Sequence, residues 1–234
     1  MRSSSRFVLL LLLGLGIGAS ASAAPLLQYR VFEDDVLQAG LSGSSFTGSL
    51  VISGSTGRFE LVSVIAGGSP LIAQPGMTAQ TTNIASLTGF GTGPRTIRLE
   101  VTQTGLDSQS AGGLIGALGS TLTANILVNG AAVGGVTVAN YADAADVAFS
   151  RAIPLATATF TGPGNDATPV IVSKFALPGP SFSETMVFTA SFLGGGAVVN
   201  ASSQIVAVPE PASLGLFGLG LLGMAAMRRR RPEA

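Results

Sequence analysis

The sequence predicts an all-β chain, an antiparallel β-sandwich of jelly-roll-like or Greek-key type with a short C-terminal transmembrane helix. Three observations carry this prediction. Through the middle of the chain, apolar residues recur at every second position in short runs, the period of a strand with one face on a core. Glycine, serine, asparagine and proline separate the runs, and no amphipathic helices lie between them as crossovers, which disfavours an α/β fold. The two ends are apolar without alternation and are set aside from the fold. The chain therefore divides into residues 1–23, a body of residues 24–207 and a tail of residues 208–234.

Within the body, residues 28–32 read as a first strand, ended by Glu33, Asp34 and Asp35. Residues 46–52 alternate and stop at Ser53-Gly54, and residues 58–65 follow, closed by Gly67-Gly68. Residues 96–102 alternate cleanly, with Ile97, Leu99 and Val101 on one face and Arg98 and Glu100 on the other. Leu122, Ala124, Ile126 and Val128 repeat the pattern, and Asn129-Gly130 predicts a hairpin turn into residues 133–138. Phe182, Met186, Phe188, Ala190 and Phe192 form one face of a long strand that we expect to be central. Residues 198–206 are expected to pair back on it after Gly194-Gly195-Gly196. Pro154, Pro163, Pro169, Pro178 and Pro180 confine the approach to edges or loops, because proline lacks a ladder donor. Residues 141–147 are the one helical-looking stretch of the body, and Asp143 and Asp146 there fit a loop equally well.

Composition excludes several chemistries. The chain has no cysteine, histidine or tryptophan. Ser-His-Asp and Cys-His catalysis, imidazole acid–base work and His or Cys zinc sites are thereby absent. The body carries six basic residues (Arg30, Arg58, Arg95, Arg98, Arg151, Lys174) against ten acids, a net charge of −4. Such a balance argues against nucleic acid, whose binding needs clustered cations. No disulfide supports the exported body, which must be held by packing and backbone pairing.

The remaining candidates are weak by pattern. Glu33, Asp34 and Asp35 could ligate calcium, but consecutive acids on a strand point to alternating faces, so a solvated strand end is favoured. Asp143, Asp146 and Asp166 could join such a site only through the fold. A carboxylate pair can hydrolyse glycosides without histidine, yet no spacing singles one out. The run from Gly89 to Pro94 precedes a strand and is turn chemistry, not a nucleotide loop. Asn200-Ala201-Ser202 matches a glycosylation sequon. Phe46, Phe59, Phe90, Phe149, Phe160 and Phe175 are expected in the core in preference to a sugar platform.

The two ends are addresses. Arg2 and Arg6 precede an apolar run, and Ala21 and Ala23 fit the A-x-A rule of signal peptidase, which would cut after Ala23. At the other end stand Pro209, Glu210 and Pro211, then residues 212–227 without a charge, then Arg228, Arg229, Arg230 and Arg231. A helix over 212–227 would be about 24 Å long, short against a ~30 Å bilayer core. The four arginines stop transfer and stay cytoplasmic, leaving the body outside. This order of motif, short apolar helix and basic cluster closely resembles the PEP-CTERM sorting signal of Gram-negative exoproteins. An ordinary C-terminal anchor is the alternative.

The resemblance implies that Pro209, Glu210 and Pro211 are recognised by an exosortase, a membrane-embedded cysteine transpeptidase that cuts at or near the motif. It implies transient anchoring in the inner membrane, then residence at the cell surface or in the polysaccharide matrix of a biofilm. The expected role is structural or adhesive and non-enzymatic, with no cofactor, and with exopolysaccharide as a candidate partner. A polysaccharide-binding module and a carboxylate-dependent hydrolase are the alternatives.

Overall fold

Alternation turns into pairing along most of the body. The computed structural model describes residues 24–208, in which fourteen strands build two antiparallel seven-stranded sheets over one apolar core. The fold is the expected all-β sandwich. In the first sheet the path runs Ile153–Phe160 (β10), Val133–Asp143 (β9), Ser181–Phe192 (β13), Arg95–Asp107 (β7), Leu26–Glu33 (β1) and Val36–Leu37 (β2), and Gly43–Ser45 (β3) also pairs with β1. In the second it runs Gly164–Ala167 (β11), Ile115–Val128 (β8), Val198–Ala207 (β14), Met77–Ser86 (β6), Phe59–Gly67 (β5) and Ser49–Ser55 (β4), with Ile171–Ala176 (β12) also on β8.

Two aromatic contacts clasp the sheets at opposite ends of β13. At one end Phe192 stands 5.2 Å from Phe59 of β5, and Phe90 completes the cluster at 5.6 Å from Phe59. At the other, Phe182 meets Phe175 of β12 at 6.5 Å. Each such pair adds about 0.5–1.5 kcal/mol beyond area burial. The strand expected to be central is central, lying between β7 and β9 with Met186, Phe188, Ala190 and Phe192 buried. The proline-rich region forms β10, β11 and β12 at the sheet margins, as proline requires.

Two expected pairings are overturned. Asn129-Gly130 does not make a hairpin, because β8 and β9 belong to opposite sheets. Asn129 does take a positive φ of 49°, but a short turn at Gly130–Ala132 then lifts the chain across the core. Nor does β14 pair back on β13; it lies between β6 and β8 in the other sheet. The two crossings brace each other, with Leu193 N–H donating to Ala132 O at 2.8 Å and Asn129 Nδ2 to Gly195 O at 3.2 Å. A hairpin and an arch bury the same alternate residues, so alternation cannot tell them apart. These sheet-to-sheet connections are those of a jelly-roll-like sandwich.

Other differences are local. The 46–52 run is broken at residues 46–48, where Gly48 turns with φ 75°, and only β4 continues as a strand. β6 shows no clean alternation because bulges interrupt its pairing with both neighbours. There the buried Thr81 hydroxyl bonds both the N–H (2.7 Å) and the carbonyl (3.2 Å) of Ala201, filling the gap that a bulge opens. The helical-looking stretch 141–147 is the end of β9 followed by turns. Among the described residues no helix is long and apolar enough to cross a membrane. Residues 1–23, with Ala21 and Ala23, and the tail from Pro209 onward, with the expected transmembrane helix, lie outside the described residues.

Candidate functional site

Sheet register assembles the charged site. Arg30 of β1 lies opposite Glu100 of β7, and Phe32 opposite Arg98, all on the outer face of the first sheet. Glu100 Oε2 accepts from Arg30 Nε at 2.6 Å, and its Oε1 accepts from Arg98 Nε at 2.8 Å and from Arg151 Nη2. The Arg30 guanidinium stands 4.1 Å from the Phe149 ring centre and 5.2 Å from Phe32, and Arg98 stands 4.3 Å from Phe32.

Arg151 and Phe149 arrive on a segment, residues 144–152, that crosses over β13 and β7. The segment is tied down by Phe149 N–H to Thr102 Oγ1 (3.2 Å), Gly105 N–H to Asp146 Oδ1 (2.8 Å) and Ser183 Oγ to Val147 O (2.8 Å). Phe149 holds φ at 58°, a left-handed backbone conformation that a bulky residue rarely takes. With this cover in place the Glu100 side chain is 1% exposed. Sequence alternation places Glu100 on the outer face, and the structure agrees, but that face is roofed over at Glu100 instead of solvated.

Of the acids expected as a solvated strand end, Asp35 joins this cluster, and Glu33 and Asp34 form a second one. Asp34 and Asp35 are the two central residues of a tight β1–β2 turn, both at positive φ (47° and 63°) as a type I′ hairpin demands. Glu33 accepts from Arg58 Nη1 at 2.7 Å, Asp34 from Arg95 Nη1 at 3.1 Å, and Asp35 from Arg98. Burial pushes the Glu33 carboxyl up, but hydrogen bonds from Thr56 and Arg58 and the Arg58 charge more than offset it and leave it below the usual carboxylate range. These acids are thus paired with arginines. Among the described residues no three of Asp, Glu, His and Cys gather where they could hold a metal ion.

Charge is therefore segregated. The five arginines fall into two clusters: Arg30, Arg98 and Arg151 share Glu100 and Asp35, an excess of one positive charge, while Arg58 and Arg95 are balanced by Glu33 and Asp34. The rest of the body holds Lys174 and six acids, of which Glu184 is buried between the sheets and contributes nothing to the surface charge. Beside Arg30 an open groove of about 410 Å³ is lined by Gln28, Tyr29, Arg30, Ser42, Ser44 and Phe149 among others. A Cβ on Gly43 would come within 2.8 Å of the Tyr29 ring, so β3 can lie this close to β1 only because residue 43 is glycine.

The other candidates do not converge. Asp143 caps the Ala145 N–H (2.6 Å), Asp146 ties the covering segment, and Asp166 sits exposed on β11 in the other sheet. Asn200 of the sequon is in the middle strand of the second sheet, not a loop. Phe59, Phe90, Phe160 and Phe175 are core as expected, but Phe46 is exposed and Phe149 lies over Arg30. Phe90 enters the core from the Gly89–Pro94 turn.

A second buried acid has no counterpart in the charged network. Glu184 of β13 points inward between the sheets, and neither carboxyl oxygen has a hydrogen-bond partner. Burial raises it well above the usual carboxylate range. Gln103, opposite it on β7, uses both ends of its amide on the Ser69 backbone. Its signal in the sequence is an acid in phase with Phe182 and Met186.

Residues 207–231 match the PEP-CTERM protein-sorting motif. No curated protein matches the chain significantly. Among solved structures, a cleaved adhesin domain of Lys-gingipain from Porphyromonas gingivalis shares 15% identity over 76% of this chain and 99% of its own, with a TM-score of 0.30. A carbohydrate-binding module described for specific mannan recognition shares 11% over 69% of this chain and 87% of its own, with a TM-score of 0.28. A set of carbohydrate-binding modules described for promiscuous specificity in the β-sandwich superfamily is represented at 10%, 75%, 83% and 0.23 respectively. At these scores none of the three carries an argument about this chain.

Proposed function

We propose that the sandwich is a structural or adhesive body displayed at the cell surface or in the extracellular polysaccharide, and that an exosortase releases it from a transient inner-membrane anchor by cutting near Pro209, Glu210 and Pro211. The PEP-CTERM motif on residues 207–231 marks an exported protein sorted by an exosortase, and it is the observation that carries this proposal. The motif begins at the last residue of the last described strand. β14 stops at Ala207 and Val208 N–H donates to Ala117 O at 3.0 Å, so the tail leaves from a strand held between β6 and β8. A cut beyond Val208 leaves all fourteen described strands in place.

Orientation follows from charge. Arginine costs about 2.5–3.5 kcal/mol each at mid-membrane, so Arg228, Arg229, Arg230 and Arg231 hold the tip on the cytoplasmic side while the body faces outward. Signal peptidase acting after Ala23 would leave two residues ahead of β1. A non-catalytic role is supported by the state of the two fully buried acids, each 0% exposed. Glu100 is tied by three guanidiniums and Glu184 is sealed from solvent, so neither is presented to a substrate as a general acid.

Mass spectrometry of surface-localised protein tests the proposal. The expected mature species lacks the four terminal arginines, and Glu210→Ala or deletion of residues 228–231 leaves uncut precursor in the inner membrane. Intact Arg231 on most surface molecules, or normal maturation of both variants, overturns it.

A further inference from the structure

We infer that the groove beside Arg30 binds a carboxylate-bearing sugar ring of an acidic polysaccharide. The inference deepens the adhesive reading of the sandwich and rests on it. Three features of the groove point the same way. First, its cation is held ready. Arg30 gives Nε to Glu100, while its two terminal nitrogens make no hydrogen bond among the described residues and its side chain is 35% exposed. The planar face of the guanidinium is fixed against Phe149 and Phe32, so the free fork loses little freedom on binding a carboxylate.

Second, the charge is not cancelled. Glu100 supplies one negative charge to three guanidiniums, and the fourth nearby group, Asp35, has a side chain 79% exposed and meets Arg98 in water. The ridge stays electropositive on a body whose remaining surface is acidic, which steers an anionic chain to this face and away from the others. Third, the groove lining carries sugar-type contacts. Gln28 and Ser44 are register partners on β1 and β3, Ser42 precedes them, and Phe149 closes one side. Amides and hydroxyls bond ring hydroxyls, an aromatic ring covers their C–H face, and the guanidinium selects the acid. The left-handed backbone of Phe149 marks a ring held in place by the cover.

The test is binding of mature protein, or of the intact chain should the tail be retained, to oligogalacturonate, to dextran sulfate and to neutral dextran of matched length. Oligogalacturonate is expected to bind, more weakly as salt is raised, with neutral dextran at least about tenfold weaker. Arg30→Gln is expected to lower oligogalacturonate affinity about tenfold or more. Ser44→Asp, at an exposed strand position that leaves the core untouched, is expected to do the same by repulsion, which covers the case in which Arg30→Gln does not fold. Equal binding of neutral dextran, binding of dextran sulfate alone, or unchanged affinity in Ser44→Asp overturns the inference. Maturation is scored from the mass of the tail and binding from the soluble titration, so either reading can fail without the other.

Discussion

Glu100 and Glu184 occupy the two faces of one sheet, on the neighbouring strands β7 and β13, and both are closed to solvent. Outward, Glu100 is met by three guanidiniums, one of them delivered by a segment folded over the face. Inward, Glu184 faces the second sheet and finds no partner; nearby strands offer neutral groups, and the Asn140 Nδ2 and Ser120 Oγ are themselves unpaired. Burial by itself does not decide the charge of an acid. Outward the covered carboxylate is matched by guanidiniums, whereas inward, with no cation or donor to meet it, burial raises the carboxyl well above its usual range.

The contrast can be broken from either side. The largest effect is expected for Glu100→Gln, which leaves three arginines facing one another. Breaking a buried pair costs about 3–5 kcal/mol. Because the three arginine side chains are 21–43% exposed and can turn to water, we expect the low end, about 3 kcal/mol, by urea denaturation. A loss below about 0.5 kcal/mol, the size of an ordinary surface change, would mean the outer carboxylate is not holding the ridge together.

Glu184→Gln should act in the opposite direction. The folded carboxyl is raised above 4.5, so the wild-type protein is least penalised below that pH and loses stability as pH rises from there toward the folded value. The variant removes this loss and should be more stable than the wild type at neutral pH. The gain should vanish below pH 4.5, where both states keep the proton. Equal stability of the two proteins across the whole range, measured by thermal melts, would show that Glu184 is partnered. Glu33 has the reverse sign, since its lowered value stabilises the fold above 4.5 and the contribution is lost as pH falls through the folded value.

The smallest effects sharpen the picture at the turn. Asp34→Gly also relieves a non-glycine residue at positive φ, but it removes an acceptor for the Thr96 N–H at 2.9 Å and for Arg95, and on balance should cost about 1 kcal/mol. Asp35→Gly loses an exposed pairing but relieves a non-glycine residue at positive φ, and the two should cancel to within about 0.5 kcal/mol. Equal costs at the two positions would remove the distinction between a structural and a solvated acid in that hairpin.

Legibility followed the range of the interaction. The 96–102 strand was readable because each residue's face is set by its own backbone, and Ile97, Leu99 and Val101 are buried as alternation requires. The crossings after Val128 and Phe192 were not, because a turn residue such as Asn129 specifies a dihedral and not the sheet that the next strand joins. Glu100 was placed on the correct face with the wrong environment, since its cover comes from residues about fifty positions away. Glu184 carried a usable sign, an acid in the apolar phase of β13, which the neighbouring Ser183 and Thr185 obscured.

By itself the sequence determined the all-β class, the positions of most strands and the sorting motif of residues 207–231. All are written in short windows, where backbone period, turn residues and charge order act on near neighbours. Tertiary structure alone decided which sheet each strand enters, which acids meet arginines and which meet none, and that three distant arginines converge on Glu100. Those outcomes depend on pairing free energies summed across the whole sandwich, and no local stretch of chain contains them.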